Sequence, residues 1–181
     1  DRRLCDMSVS PSPLALLGVA EELSAAEAHL GDPASEARLR HLLDRVVDIN
    51  YYPTAQAADS NARWRPIGLG VMGLQDVFFK LGLPFDSPEA RALNARIAET
   101  IYFNALRTSC ELAEQHGPHE TYADTRAAAG ALQFDLWGVT PSEHVDWDGL
   151  RAQIAQHGLR NSLLIAIAPT ATIAHIAGAY E

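Results

Sequence analysis

Cysteine is nearly absent from this sequence, with Cys5 and Cys110 the only two in 181 residues. Two thiols so far apart make neither a disulfide framework of the secreted kind nor a zinc site. Basic residues are also in the minority, at 14 Lys plus Arg against 23 Asp plus Glu, for a formal charge of -9. That balance argues against the phosphate-tracking surface of nucleic-acid binders. A local anion site stays open, because backbone N–H groups hold phosphate without net charge. Long apolar runs are missing too, since Leu14–Leu17 is soon followed by Glu21 and Glu22, so no membrane span is expected. The opening Asp1-Arg2-Arg3-Leu4-Cys5 has neither an initiator Met nor a signal-type apolar segment. What is present, 48% hydrophobic and 20% charged residues, suffices for one ordinary core. The composition reads as a cytoplasmic chain of one domain, a piece of a larger protein.

Residues 1–35 are poorly patterned, rich in Ala, Ser and Pro, with a short helix from about Leu14 to Leu30 or a loop as alternatives. From Ser35 the pattern sharpens. Leu39, Leu42, Leu43, Val46, Val47 and Ile49 fall at helical spacing and stop before Pro53. A second helical run is expected over Ile67–Leu81, ending at Gly82 and Pro84. The longest helix should start at an Asp86 or Ser87 cap, run to about Gln115 and stop at Gly117-Pro118. Its two apolar stripes, one through Ile97, Ile101, Ala105 and Leu112 and one through Phe103, Leu106, Cys110 and Ala113, predict burial between layers. Residues 117–146 are turn-rich, and a further helix is expected from Asp148 to His157, closed by Gly158. Leu163–Ala168 lacks polar alternation and predicts a strand buried on both faces, as in a parallel sheet or barrel. One such strand among helices needs neighbours, which suggests a fragment of a larger α/β fold that is marginal or associates when alone.

Four stretches could carry chemistry. Gly68-Leu69-Gly70-Val71-Met72-Gly73 has the spacing of a dinucleotide fingerprint, but Arg65-Pro66 leaves no strand before it. Glycines that start a helix and allow close packing are the preferred reading. His116, His119 and Glu120 surround the helix-breaking Gly117-Pro118, which fits a solvated helix end better than a metal pair held on one helix face. Cys110 reads as a small core residue. The strongest local signal is Ala168-Pro169-Thr170-Ala171-Thr172-Ile173. A strand runs into small and hydroxyl residues that open a helix, whose first amides lack intrahelical partners and face outward at the positive dipole end. On the residues alone, an ordinary Thr-capped helix is preferred over a phosphate turn.

Taken together, five ordered stretches resemble the large, catalytic subunit of ribonucleotide reductase. They are Asp48-Ile49-Asn50-Tyr51-Tyr52-Pro53, Arg65-Pro66 through Asp76, Cys110-Glu111-Leu112-Ala113 with Gly117, Trp147-Asp148 leading to His157-Gly158-Leu159-Arg160-Asn161-Ser162, and Ala166 through Ala174. The resemblance implies that 36–181 is a mostly helical α/β fragment of that family's ten-stranded α/β barrel. It further implies an oxidoreductase that reduces ribonucleoside diphosphates by radical chemistry, in deoxyribonucleotide biosynthesis for DNA replication. By the same resemblance Pro169, Thr170, Ala171, Thr172 and Ile173 form the substrate-phosphate turn. This reverses the preference at that turn and assigns Gly68 to barrel packing.

The implied partners are the ribonucleoside diphosphate, the remainder of the large subunit and a metal-bearing, radical-generating small subunit, with no nucleic acid and no membrane. Adenosylcobalamin replaces the small subunit in the class II alternative, and nucleotide effectors including ATP act on the family. No cofactor is expected on this segment, and no metal ligands are assigned to it. Nothing in the sequence corresponds to the family's radical cysteine with its Asn and Glu companions, so no catalytic residue is identified and the chain alone is expected to be inactive. Cys5 falls near one member of the family's redox pair and is the redox candidate. A non-catalytic remnant or assembly module that keeps barrel packing is the alternative function.

Overall fold

The computed structural model describes residues 44–180. They are mostly helical, and among them no strand longer than a single bridge forms. Helix α1 is described over 44–49, and α2 is Ala55–Trp64, α3 Leu74–Leu81, α4 Pro88–His116, α5 Gln133–Trp137, α6 Trp147–His157 and α7 Ala171–Ala177. A 3₁₀ turn at Tyr122–Asp124 lies between α4 and α5.

Local chemistry accounts for most of these boundaries. Ser87 Oγ accepts the Ala90 amide and starts α4, and Gly117, at φ 81°, ends it with its N–H on the Ala113 carbonyl. Asp146 Oδ1 accepts the Gly149 amide at the head of α6, and Gly158 closes that helix. The second expected helix is shorter than the pattern suggested. Residues 67–73 are not helical, and α3 begins only after Gly73, which sits at φ 86°. Leu69 has instead been drawn into a parallel bridge with Ile165. Helix α2 has no counterpart in the pattern at all. It buries no residue, and rests on a Thr54 cap and an Ala-rich polar sequence instead of an apolar stripe.

The chain divides into two compact units, and the boundary runs within α4 between Arg96 and Ile97. The described part of the smaller unit, 70–96 with 167–180, buries Val77, Phe78, Ala90 and Ala174. There the Tyr180 amide donates to Asp76 Oδ2, and the Tyr180 ring meets Phe79 edge-on. The larger unit, described over 44–69 and 97–166, has its core between α4, α5 and α6. Leu106, Cys110, Leu132, Phe134, Trp147, Leu150, Ile154, Leu159 and Leu164 close it. Trp147 is its centre, with Phe134 and Phe103 edge-on at 4.7 and 5.2 Å. The indole N–H donates to Glu99 Oε1, which also accepts the Ser142 amide. Burial opposes the Glu99 charge, but these hydrogen bonds hold its carboxyl below the ordinary range.

The expected strand Leu163–Ala168 is the main correction. Leu163 is 62% exposed and Ile167 78%, and only Leu164 is buried. Among the described residues the segment is extended against 64–69 alone. Ser162 N–H donates to the Trp64 carbonyl, Ile67 to Leu163, Leu69 to Leu164 and Ala166 back to Leu69. A strand of this composition is buried by neighbours on both sides, and one short partner cannot supply that.

Candidate functional site

The candidate turn follows directly from this paired segment. Pro169, Ala171, Thr172 and Ile173 are exposed and Thr170 is half-buried. Thr170 is the N-cap of α7 in the left-handed region, at φ 59°, and makes no side-chain cap. Helix α7 therefore starts at Ala171, one residue later than the sequence suggests, and Thr170 is not its capping hydroxyl. Its carbonyl accepts the Ala174 amide at 2.7 Å, and Ala174 is buried beneath it. A non-glycine residue at positive φ is uncommon and costs backbone energy. Only two occur among the described residues, Thr170 and Arg65.

Arg65 marks a cluster that the sequence reading missed. Its left-handed turn ends α2, and its side chain is almost fully enclosed. The guanidinium donates to Asp44 Oδ1, to the Asp44 carbonyl and to both carboxylate oxygens of Asp48. This contact holds the Asp48 carboxyl below its usual range. Asn161 and Ser109 complete the cluster from the other side. A periodicity search has no means of finding it, because its members lie in four separate stretches. Arg160-Asn161 is visible in the sequence only as part of a resembling stretch.

The remaining candidates separate. Cys110 is buried, and burial first, then Glu114 and Glu111, pushes its thiol up to about 11, as suits an inert core residue. Cys5 lies outside the described residues. His116 is exposed at the end of α4 as expected, whereas His119 is 3% exposed. His119 stacks on Trp64, meets Tyr122 edge-on and places Nδ1 3.0 Å from Thr121 Oγ1. Glu120 turns outward to Arg63. Among the described residues no group of three or more His, Cys, Asp or Glu could hold a metal ion. Gly68 packs as the glycine reading expects: a Cβ there would lie 2.8 Å from Ala166 Cβ.

The family model for the ribonucleotide reductase barrel domain matches residues 35–181. The chain belongs to the ribonucleotide reductase family. It is 56% identical over 139 residues to the ribonucleoside-diphosphate reductase large subunit of Caenorhabditis elegans, covering 77% of this chain and 18% of that protein. The large subunits of Variola virus and Arabidopsis thaliana are 54% and 53% identical over the same length, covering 77% of this chain and 18% and 17% of theirs. The chain thus spans under a fifth of the curated relatives it matches. Among the described residues no strand precedes Gly68, whose missing Cβ admits Ala166, and Gly73 turns the chain into α3 at φ 86°. The family match begins at residue 35, where the sequence pattern sharpens.

Proposed function

We propose that this chain is a segment of a ribonucleotide reductase catalytic subunit, which reduces ribonucleoside diphosphates to deoxyribonucleotides by radical chemistry. On this reading residues 36–181 form one partial α/β barrel domain and 1–35 an N-terminal segment. The segment's own contribution is a substrate-phosphate turn at Pro169, Thr170, Ala171, Thr172 and Ile173. The observation that carries the reading is the family match across 35–181, which includes this turn. Its geometry is suited to the task. The amides of Ala171, Thr172 and Ile173 open α7, where no preceding turn supplies acceptors. Ala171 leaves room for a close approach, and the Thr170 hydroxyl is not spent on capping. Such a helix start contributes about 0.3–1 kcal/mol per nearby anionic charge when exposed, so binding needs several donors converging. The rest of the large subunit and a radical-generating small subunit supply the chemistry, with adenosylcobalamin as the class II alternative and nucleotide effectors as regulators. The compartment is the cytoplasm. Among the described residues no helix is long and apolar enough to cross a membrane.

A second reading is a non-catalytic remnant or assembly module that keeps the barrel packing, in which the exposed Leu163, Ile167, Ile173 and Ile176 serve only to pack against a larger assembly. Titrating a nucleoside diphosphate while following the amide resonances of residues 170–173 separates the two. A catalytic segment responds there, and Ala171→Asp abolishes the response by charge repulsion without altering the rest of the spectrum. Amides that stay silent even in the reassembled large subunit would leave the module reading standing.

A further inference from the structure

We propose that Asn161 is a positioning residue that sets the register of the 162–166 segment against 64–69. The proposal rests on the reading above only in that the chain running on from Ala166 carries the phosphate turn.

The need for such a device is visible in the sequence. Leu163-Leu164-Ile165-Ala166-Ile167-Ala168 has no alternation of polar and apolar residues. A one-residue slip normally moves apolar side chains to the wrong face and is resisted for that reason. Here a slip exchanges one apolar side chain for another, and the pairing amounts to a single parallel bridge. Hydrophobic patterning therefore does not select the observed pairing.

Asn161 supplies what the pattern lacks. It is 1% exposed and stands immediately before the paired segment. Its Nδ2 donates to the Arg65 carbonyl at 3.2 Å, at the head of the partner segment, and to Asp44 Oδ1 at 3.2 Å. Its Oδ1 accepts from Ser109 Oγ at 3.1 Å, and Ser109 Oγ in turn accepts the Asn161 amide at 2.9 Å. Both Nδ2 partners are acceptors only, so the amide has one satisfied orientation. Arg160 strengthens the hold, donating its amide to the Ser109 carbonyl and its guanidinium to the carbonyls of His116 and Gly117. Asp44 meanwhile grips Arg65 and holds the turn that delivers the chain into 67–69. A buried polar amide is costly unless satisfied, and one satisfied by fixed partners penalises every alternative register.

Amide hydrogen exchange on the whole 181-residue chain tests this without any ligand, so its outcome does not depend on whether the turn binds phosphate. Asn161→Ala should speed exchange at Ile67, Leu69 and Ala166 by about tenfold or more, while the amides of α6 keep their protection. Ser109→Ala, which leaves both Nδ2 donations in place, should give the same pattern with a smaller change. It serves as the test if the Asn161 variant does not fold. A uniform loss of protection across α6 and the paired segment would reduce Asn161 to an ordinary stability residue and overturn the proposal. So would unchanged exchange at Ile67, Leu69 and Ala166.

Discussion

The packing around Trp147 and the run from Leu163 to Ile176 are both rich in apolar side chains, yet they end in opposite states. Around Trp147 the residues of the core cluster find partners within the chain, and even the indole N–H is satisfied by Glu99. In the later run Leu163, Ile167, Ile173 and Ile176 are exposed. The difference is not one of hydrophobicity. It lies in where the covering surface comes from: α4, α5 and α6 bring theirs in the same sequence, whereas 163–168 has one short partner at 64–69. Apolar patterning encodes that a segment is to be buried, and says nothing of which chain will bury it.

The sharpest way to break this comparison is to truncate one side chain in each region. Trp147→Ala removes the centre of the closed core and should cost about 3–5 kcal/mol, enough to unfold a marginal domain. Ile167→Ala should change stability by no more than about 0.5 kcal/mol, because in this chain the side chain contacts little. Urea unfolding of both variants measures the contrast. Comparable losses would mean that Ile167 is covered in solution by something this chain does supply.

The same contrast explains what was legible in the sequence. Helix α4 was readable nearly to the residue because stripes, cap and terminating glycine agree, and α6 was readable to its closing Gly158, though its Asp146 cap went unread. The inert character of Cys110 was readable from its stripe. Helix α2 was not, since its weakly apolar face is made almost wholly of Ala and buries no residue. The seven residues before α3 looked helical because Ile67 and Val71 keep the spacing, while the decisive event is a pairing with a segment nearly a hundred positions away. The helix that opens after Pro169 was legible from its small and hydroxyl residues, with its start off by one residue, at Ala171 and not Thr170. The Arg65–Asp44–Asn161–Ser109 cluster was invisible, because hydrogen bonds between distant polar residues leave no local pattern.

A smaller effect sharpens the boundary between the closed and open regions. Gly68→Ala places a Cβ 2.8 Å from Ala166 Cβ, closer than such atoms approach, so the paired segments must separate. The expected cost is about 1–3 kcal/mol, as for other overpacked sites. Ala166→Gly in the same chain removes the opposing atom, and the double variant should recover most of the loss. Thermal unfolding of the two single variants and the double one gives the coupling directly. Simple additivity would show that the two positions do not meet.

The smallest expected effect is a pH dependence confined to the closed unit. His119 is buried between Trp64 and Tyr122, and desolvation lowers its pKa from the ordinary 6.5. Glu120 beside it does not offset this, because it turns to Arg63. The folded state therefore takes up the proton less readily than the unfolded one. Stability from this group is complete above about pH 6.5 and declines as pH falls through that value towards the lower folded pKa. The carboxyls held low by their partners, Asp48 and Glu99, act in a separate and more acidic window, because their ordinary values lie near 4. Denaturant unfolding at about pH 7.5 and about pH 5.5 should show the chain weaker at the lower pH, and His119→Gln should remove most of that difference. A slope that persists in the variant would place the titrating group elsewhere. A flat profile in the unmodified chain would mean that the imidazole reaches water, and that this part of the core is less closed than the region around Trp147.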